Sequence, residues 1–151
     1  MTKNTLSAVD KKAIELFGKY YGSFNTWLYE KTGGKLGGTL MGAPVLLLTT
    51  IGNKSGQKRT APLLYLQDGA RYYIVASKGG YPVDPAWYKN LTANPAVEVQ
   101  VGPHKQPMRA RTVSEDEKAK VWPRLVAMYK YYQVYQDRTE RSIPVVALEP
   151  A

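Results

Sequence analysis

Three strand-forming runs, residues 45–51, 59–66 and 71–77, follow one another across turns too tight to hold the helices of a parallel sheet. The first turn is the polar stretch 52–58; the second carries Gln67-Asp68-Gly69, a hairpin signal. An antiparallel meander is the expected arrangement. Two further runs, 96–101 and 106–113, are joined at Gly102-Pro103, and a β-branched run at 143–148 supplies a sixth strand. Six strands without regular β-α alternation predict a mainly β, α+β fold, a small antiparallel barrel packed by helices.

Ile14, Phe17, Tyr20 or Tyr21, Phe24 and Leu28 recur at three- and four-residue intervals, so residues 10–29 read as an amphipathic helix that Gly18 and Gly22 weaken. Residues 85–91 read as a short helix with Pro85 at its start and Asp84 as N-cap. Ser114 and Glu117 have the spacing of a capping box, which opens a long helix to about Tyr135 with an irregularity near Pro123. Residues 1–151 are expected to form one domain, with residues 1–10 flexible. The longest apolar stretch, residues 43–48, falls far short of the ~20 residues of a spanning helix. The polar N-terminus lacks the apolar core of a signal peptide, and the cytoplasm is the expected compartment.

The sequence has no cysteine, which removes disulfides, thiolate nucleophiles and sulfur-based zinc sites. Its single histidine, His104, lies in Gly102-Pro103-His104-Lys105 and reads as a solvated turn residue. Hydrolytic triads and dyads therefore have almost nothing to work with, and no metal site is expected. If the chain is an enzyme, a bound cofactor carries the hard step. The net charge of +9 favours an anionic partner.

The stretch Gly52-Asn53-Lys54-Ser55-Gly56-Gln57-Lys58-Arg59 can offer backbone N–H groups and positive charge to a phosphate or carboxylate, or it is an ordinary solvated turn. It is neither a Walker A loop nor a dinucleotide fingerprint. Ala76-Ser77-Lys78-Gly79-Gly80 leaves the third strand with a hydroxyl, a cation and two permissive glycines. In a meander these two loops face one ligand. Trp87-Tyr88 either walls a flat ligand or fills the core. Tyr129, Tyr132 and Tyr135 fall on one helix face, with Tyr131 elsewhere, and serve either packing or a pocket.

Taken together, the chain resembles the deazaflavin-dependent nitroreductase family, F-420-dependent quinone reductases of actinobacteria with an FMN-binding-like split β-barrel. The motifs that carry the resemblance include Phe24-Asn25-Thr26-Trp27-Leu28-Tyr29, Leu36-Gly37-Gly38-Thr39, Lys54-Ser55-Gly56-Gln57, Ala76-Ser77-Lys78-Gly79-Gly80, Pro85-Ala86-Trp87-Tyr88, Leu91-Thr92-Ala93-Asn94-Pro95 and Arg141-Ser142-Ile143-Pro144. The resemblance implies that Asn53, Lys54, Ser55, Gly56, Arg59 and Thr60 hold the coenzyme's phosphate and acidic tail. It places Ala76, Ser77, Lys78 and Gly79 by the deazaflavin, with Trp87, Tyr88 and Asn90 bordering it. Tyr129, Tyr132 and Tyr135 would cover the substrate, and together with Ser77 they are the candidate catalytic residues.

The implied activity is hydride transfer from reduced F-420 to a small-molecule electron acceptor: a quinone, an α,β-unsaturated carbonyl or an activated nitro compound. The chain departs from the family pattern at Asn53, where some members carry Arg, and at Leu64, where the nitroreductase pattern has tyrosine and this chain has Tyr65 next. A strand flips faces at each residue, so Tyr65 cannot substitute without a bulge or register shift. The rivals are an FMN or haem protein of the same barrel and a nucleic-acid-binding barrel. The last needs aromatics interleaved with Lys and Arg along strands, whereas the tyrosines gather on a helix; nucleic acid is not an expected partner. The N-terminal helix either packs on the barrel or touches a membrane surface.

Overall fold

The computed structural model describes residues 6–151, with the backbone alone for residues 15–22. The first helix, α1, runs Ala8–Thr32, longer at both ends than its periodicity predicts. Ser7 and Asp10 close a capping box at its start, and Gly33, left-handed at φ 61°, caps its end. Over residues 24–29 its inward face is rotated one residue from the expected one, while Ile14 lines the cavity described below. Phe24 is 63% exposed, whereas Asn25 and Tyr29 are buried. Those two have polar partners on the barrel side: Asn25 Nδ2 donates to Gly37 O, and the Tyr29 hydroxyl accepts from the Gly102 amide at 2.7 Å. Phe17, Tyr20 and Tyr21 lie outside the described side chains.

Among the described residues eight strands form one antiparallel sheet: β1 Thr39–Leu40, β2 Ala43–Ile51, β3 Lys58–Leu64, β4 Leu66–Asp68, β5 Arg71–Val75, β6 Ala96–Val101, β7 His104–Thr112 and β8 Val145–Pro150. β3 and β4 are a single path that changes partner at Tyr65: the Tyr65 amide still donates to Pro44 O, the last rung against β2, and from Leu66 the path pairs with β5. β3 pairs with β2 and β4 with β5, so this path joins both ends of the order β2-β6-β7-β8-β5 and closes the barrel. Counted once, it leaves the six barrel strands that the sequence predicts, plus the short β1. The expected meander forms with its middle strand divided: β3 pairs with β2 over seven residue pairs, β4 with β5 over only three, and β5 takes β8 as its other partner through Tyr73↔Ala147 and Val75↔Val145.

Alternation along the strands builds the core. Leu46 and Leu48 of β2, Tyr72 and Ile74 of β5, and Val146 and Leu148 of β8 point into the barrel. Their neighbours point outward: Val45 and Leu47 lie against Tyr29 of α1, and Tyr73, Val75, Val145 and Ala147 lie under the C-terminal helices. Each such fully buried aliphatic side chain stabilises the fold by about 1.5–3 kcal/mol. Leu64 and Tyr65 obey the same rule, with Leu64 outside and Tyr65 packed edge-on to Tyr72 at a centroid distance of 5.1 Å.

The remaining helices are α2 Ala86–Ala93, α3 Glu115–Met128 and α4 Tyr131–Arg138. Asp84 does not cap α2; Pro85 occupies that position, and the Asp84 carboxylate accepts from Arg141. The long helix expected to reach Tyr135 is two helices, and the break falls at Tyr129, which is extended at φ −146°, not at Pro123. Pro123 and Ala119, whose carbonyl loses its donor to the proline, both lie on the exposed face, where the carbonyl is open to solvent. No helix of the described residues is long and apolar enough to cross a membrane.

Candidate active site

A cavity of about 720 Å³ opens where β3, β5, α2 and the α3–α4 break converge. Its walls are mostly apolar: Leu40 and Val45, Pro62 to Leu64, Val75, Trp87, and Ala13 with Ile14 from α1. The polar groups are few: Ser77 and Lys78 where the chain leaves β5, and Tyr129, Tyr132 and Tyr135 from the α3–α4 break. The break at Tyr129 does not scatter the tyrosines. The Tyr129 and Tyr132 rings meet nearly edge-to-face at 5.0 Å, and the Tyr129 and Tyr135 hydroxyls are 3.0 Å apart. Tyr132 is only 4% exposed, and burial raises its phenol pKa well above the usual tyrosine range, so it stays a proton donor.

The loop after β5 is held in an unusual course. Lys78, Gly79 and Gly80 are left-handed in succession, at φ 44°, 61° and 80°. Glycine adopts this region freely, while Lys78 does so at a cost of about 1–3 kcal/mol. Gly80 also lies flush on α4, where a Cβ would come within 2.9 Å of Tyr135 O. Arg141 grips the same loop, donating to Ala76 O, Ser77 O, Tyr81 O and the Asp84 carboxylate. Sequence reasoning gave Arg141 no role: nothing in Arg138-Thr139-Glu140-Arg141 indicates which arginine turns inward.

The basic turn between β2 and β3 stands apart from the cavity. Pro62 to Leu64 line it, while Lys58, Arg59 and Thr60 continue β3 away from it, with a rise of roughly 3.3 Å per residue. Much of the turn's backbone is already engaged. The Gly52 and Gln57 amides bond within the turn, Gly56 N donates to Gly52 O, and Asn53 N donates to Asn90 Oδ1 at 2.9 Å. The turn therefore offers side-chain charge more than a cradle of amides. Ser55 Oγ accepts from Gln57 N, and Gly56 is left-handed at φ 70°. Thr60 Oγ1 pairs with Thr49 Oγ1 at 2.8 Å.

α2 links the two places. Trp87 lines the cavity, and one turn later the buried Asn90 fastens the basic turn, its Nδ2 donating to Thr50 Oγ1 at 3.1 Å. Both ends of the Asn90 amide are thus used by the protein. Tyr88 turns toward the barrel core and pairs its hydroxyl with Thr112 Oγ1 at 2.9 Å, and Ala76 is fully buried. Neither lines the cavity.

Charge follows the same path. Among the described residues Lys78 is the sole charged one lining the cavity. Among the described residues the ion pairs use Arg71, Arg111, Arg124 and Arg141, which leaves Lys54, Lys58, Arg59 and Lys78 without carboxylate partners. An apolar chamber with Lys78 in its wall and the cations of β3 beyond it suits a flat ring bearing an anionic tail.

Known proteins share this chain's sequence and fold. A family model described as F-420H(2)-dependent quinone reductase matches residues 23–150. An F-420H(2)-dependent quinone reductase of Mycobacterium tuberculosis is 46% identical over 125 residues, 80% of this chain and 84% of that protein. Among solved structures, an F-420-H2 dependent reductase is 44% identical, with a TM-score of 0.65 over 70% of this chain and 94% of its own. A second, described as a domain-swapped dimer, is 37% identical, with a TM-score of 0.68 over 87% and 98%. With its split barrel and its cavity set beside a basic turn, this chain belongs to the F-420H(2)-dependent quinone reductase family.

Proposed function

We propose that the cavity seats the deazaflavin ring of F-420 and that Lys54, Arg59 and their turn, with Asn53, Ser55, Gly56 and Thr60, meet the coenzyme's phosphate and acidic tail. The observation that carries this placement is that β3 runs from the cavity wall at Pro62 to Leu64 out to Lys58 and Arg59, cations without carboxylate partners among the described residues. The ring would lie by Ala76, Ser77, Lys78 and Gly79, with Trp87 as a wall. Tyr88 and Asn90 would act from behind it through the core and the turn.

When bound, the reduced coenzyme supplies a hydride to the acceptor. The chain's own residues orient the two reactants, keep water out and stabilise the charge that develops on the acceptor's oxygen. Ser77 Oγ and the phenols of Tyr129, Tyr132 and Tyr135 are the donors for that oxygen, and they line the same chamber. Quinones and α,β-unsaturated carbonyls fit best. Leu64 leaves the wall without the phenol of the nitroreductase pattern, so bulky nitroimidazoles are the poorest expected acceptors.

Phe24 and Trp27, stacked at a centroid distance of 6.3 Å and exposed on α1, are the proposed contact with a membrane surface that delivers lipid-soluble acceptors to an enzyme working in the cytoplasm. Titration with oxidised F-420 and separately with FMN, followed by fluorescence at low and moderate salt, tests the coenzyme reading. Selective, salt-weakened binding of F-420 supports it. Binding of FMN alone, or of neither, overturns it.

A further inference from the structure

Arg141 lies between α4 and β8 and does not line the cavity. Its side chain is 15% exposed, and its donors converge on one loop from both ends. Before the left-handed run, Nη2 donates to Ala76 O at 3.1 Å and Ser77 O at 2.9 Å. After it, Nε donates to Tyr81 O at 2.9 Å and Nη1 to Asp84 Oδ1 at 3.1 Å. Within the loop, the bonds from Gly80 N to Ser77 O and from Tyr81 N to Lys78 O are those of a short turn. Such a turn does not by itself hold a lysine at φ 44°. A planar guanidinium satisfies acceptors spread on both sides of the loop; an ammonium on the same site is a point donor and cannot span them.

We propose that Arg141 is a positioning residue for coenzyme binding. It clamps residues 76–84 so that Lys78, Gly79 and Gly80 keep the left-handed course that presents Ser77, Lys78 and Gly79 to the chamber. The proposal rests on the coenzyme reading above, but its mechanical part can be read without any coenzyme.

The experiment compares Arg141→Lys, Asp84→Asn and the surface control Arg124→Gln, whose arginine pairs with Asp68 at 3.7 Å. Amide hydrogen exchange is followed over residues 76–84 in the protein without coenzyme. Affinity for oxidised F-420 and steady-state constants with a soluble quinone are measured on the same samples. For Arg141→Lys, exchange at Gly80 and Tyr81 rises and the coenzyme Kd weakens by about tenfold. The quinone KM at saturating coenzyme stays within about twofold. Asp84→Asn leaves Arg141 in place and gives the same pattern at roughly two- to threefold, so the proposal remains testable should Arg141→Lys fold poorly.

A merely structural arginine would lower the active fraction and the melting temperature while leaving the folded fraction's Kd unchanged. That result, or loop exchange equal to wild type, overturns the proposal. Failure of the wild type to bind F-420 overturns the coenzyme reading instead, and the exchange data still decide whether Arg141 clamps the loop.

Discussion

The Tyr129 and Tyr135 hydroxyls meet at 3.0 Å across the break between α3 and α4. The break makes this possible: Tyr129 is extended where a continuous helix would have it helical, and its ring also reaches Tyr132. Two hydroxyls in such a bond share one proton and leave a second to be given elsewhere.

Replacing Tyr132 with Phe should lower kcat/KM for a quinone by about tenfold and leave coenzyme affinity unchanged, because one donor to a developing oxyanion is lost with little change in shape. Tyr135→Phe should act in the same direction. Burial raises the Tyr132 pKa, so the wild-type rate should show no fall from its ionisation near pH ~10, where a solvated tyrosine titrates. Steady-state rates across pH check both points.

The basic turn should reveal itself through salt. Lys54→Ala combined with Arg59→Ala should weaken F-420 binding by roughly 10- to 100-fold at low ionic strength, and the gap to wild type should shrink as salt screens the tail. Equal affinities across the salt range would place the tail elsewhere.

Asn90 joins α2 to the turn, with bonds to Thr50 Oγ1 and from Asn53 N. Asn90→Ala leaves the buried Thr50 hydroxyl and the Asn53 amide without partners and should cost about 2–3 kcal/mol in urea unfolding. Coenzyme affinity should fall as well, since the basic turn loses its anchor. A change in stability alone would separate the two roles.

Acid should find the far side of the barrel first. Arg111 bonds to Glu149, with Arg71 beside it, and holds the Glu149 carboxyl below its ordinary value. A depressed carboxyl contributes stability above its unfolded pKa of about 4.3 and loses it as pH drops through the lower folded value. Glu149→Gln should therefore be less stable at neutral pH and show a shallower loss of stability below about pH 4.3. Urea midpoints measured over that range supply the comparison.

The barrel strands were readable because each buries one face and alternates, a local signal. Pairing between chain neighbours was readable too, but pairing between distant strands was not. Gln67-Asp68-Gly69 announces a hairpin, but nothing local states that β5 will take β8 as its second neighbour. The tyrosine cluster was readable as a spacing, yet its geometry comes from a helix break that the proline at 123 suggested in the wrong place. Asp84 has the right residue type for an N-cap, and a buried arginine outcompetes the helix for its carboxylate. Asn90 and Arg141 were both visible as letters within motifs. What each one grips depends on chain segments 37 to 65 positions away, beyond the reach of any local pattern.

The placement of β8 between β5 and β7 also sets the order in which the molecule can be completed. β5 ends at Val75 and its partner begins at Val145, so about seventy residues are synthesised before that gap in the wall can be filled. Until then β5 and β7 each carry an open ladder edge, able to pair with another nascent chain. Aggregation during expression should accordingly respond to substitutions in residues 145–150 more than to changes of equal size in the early hairpins.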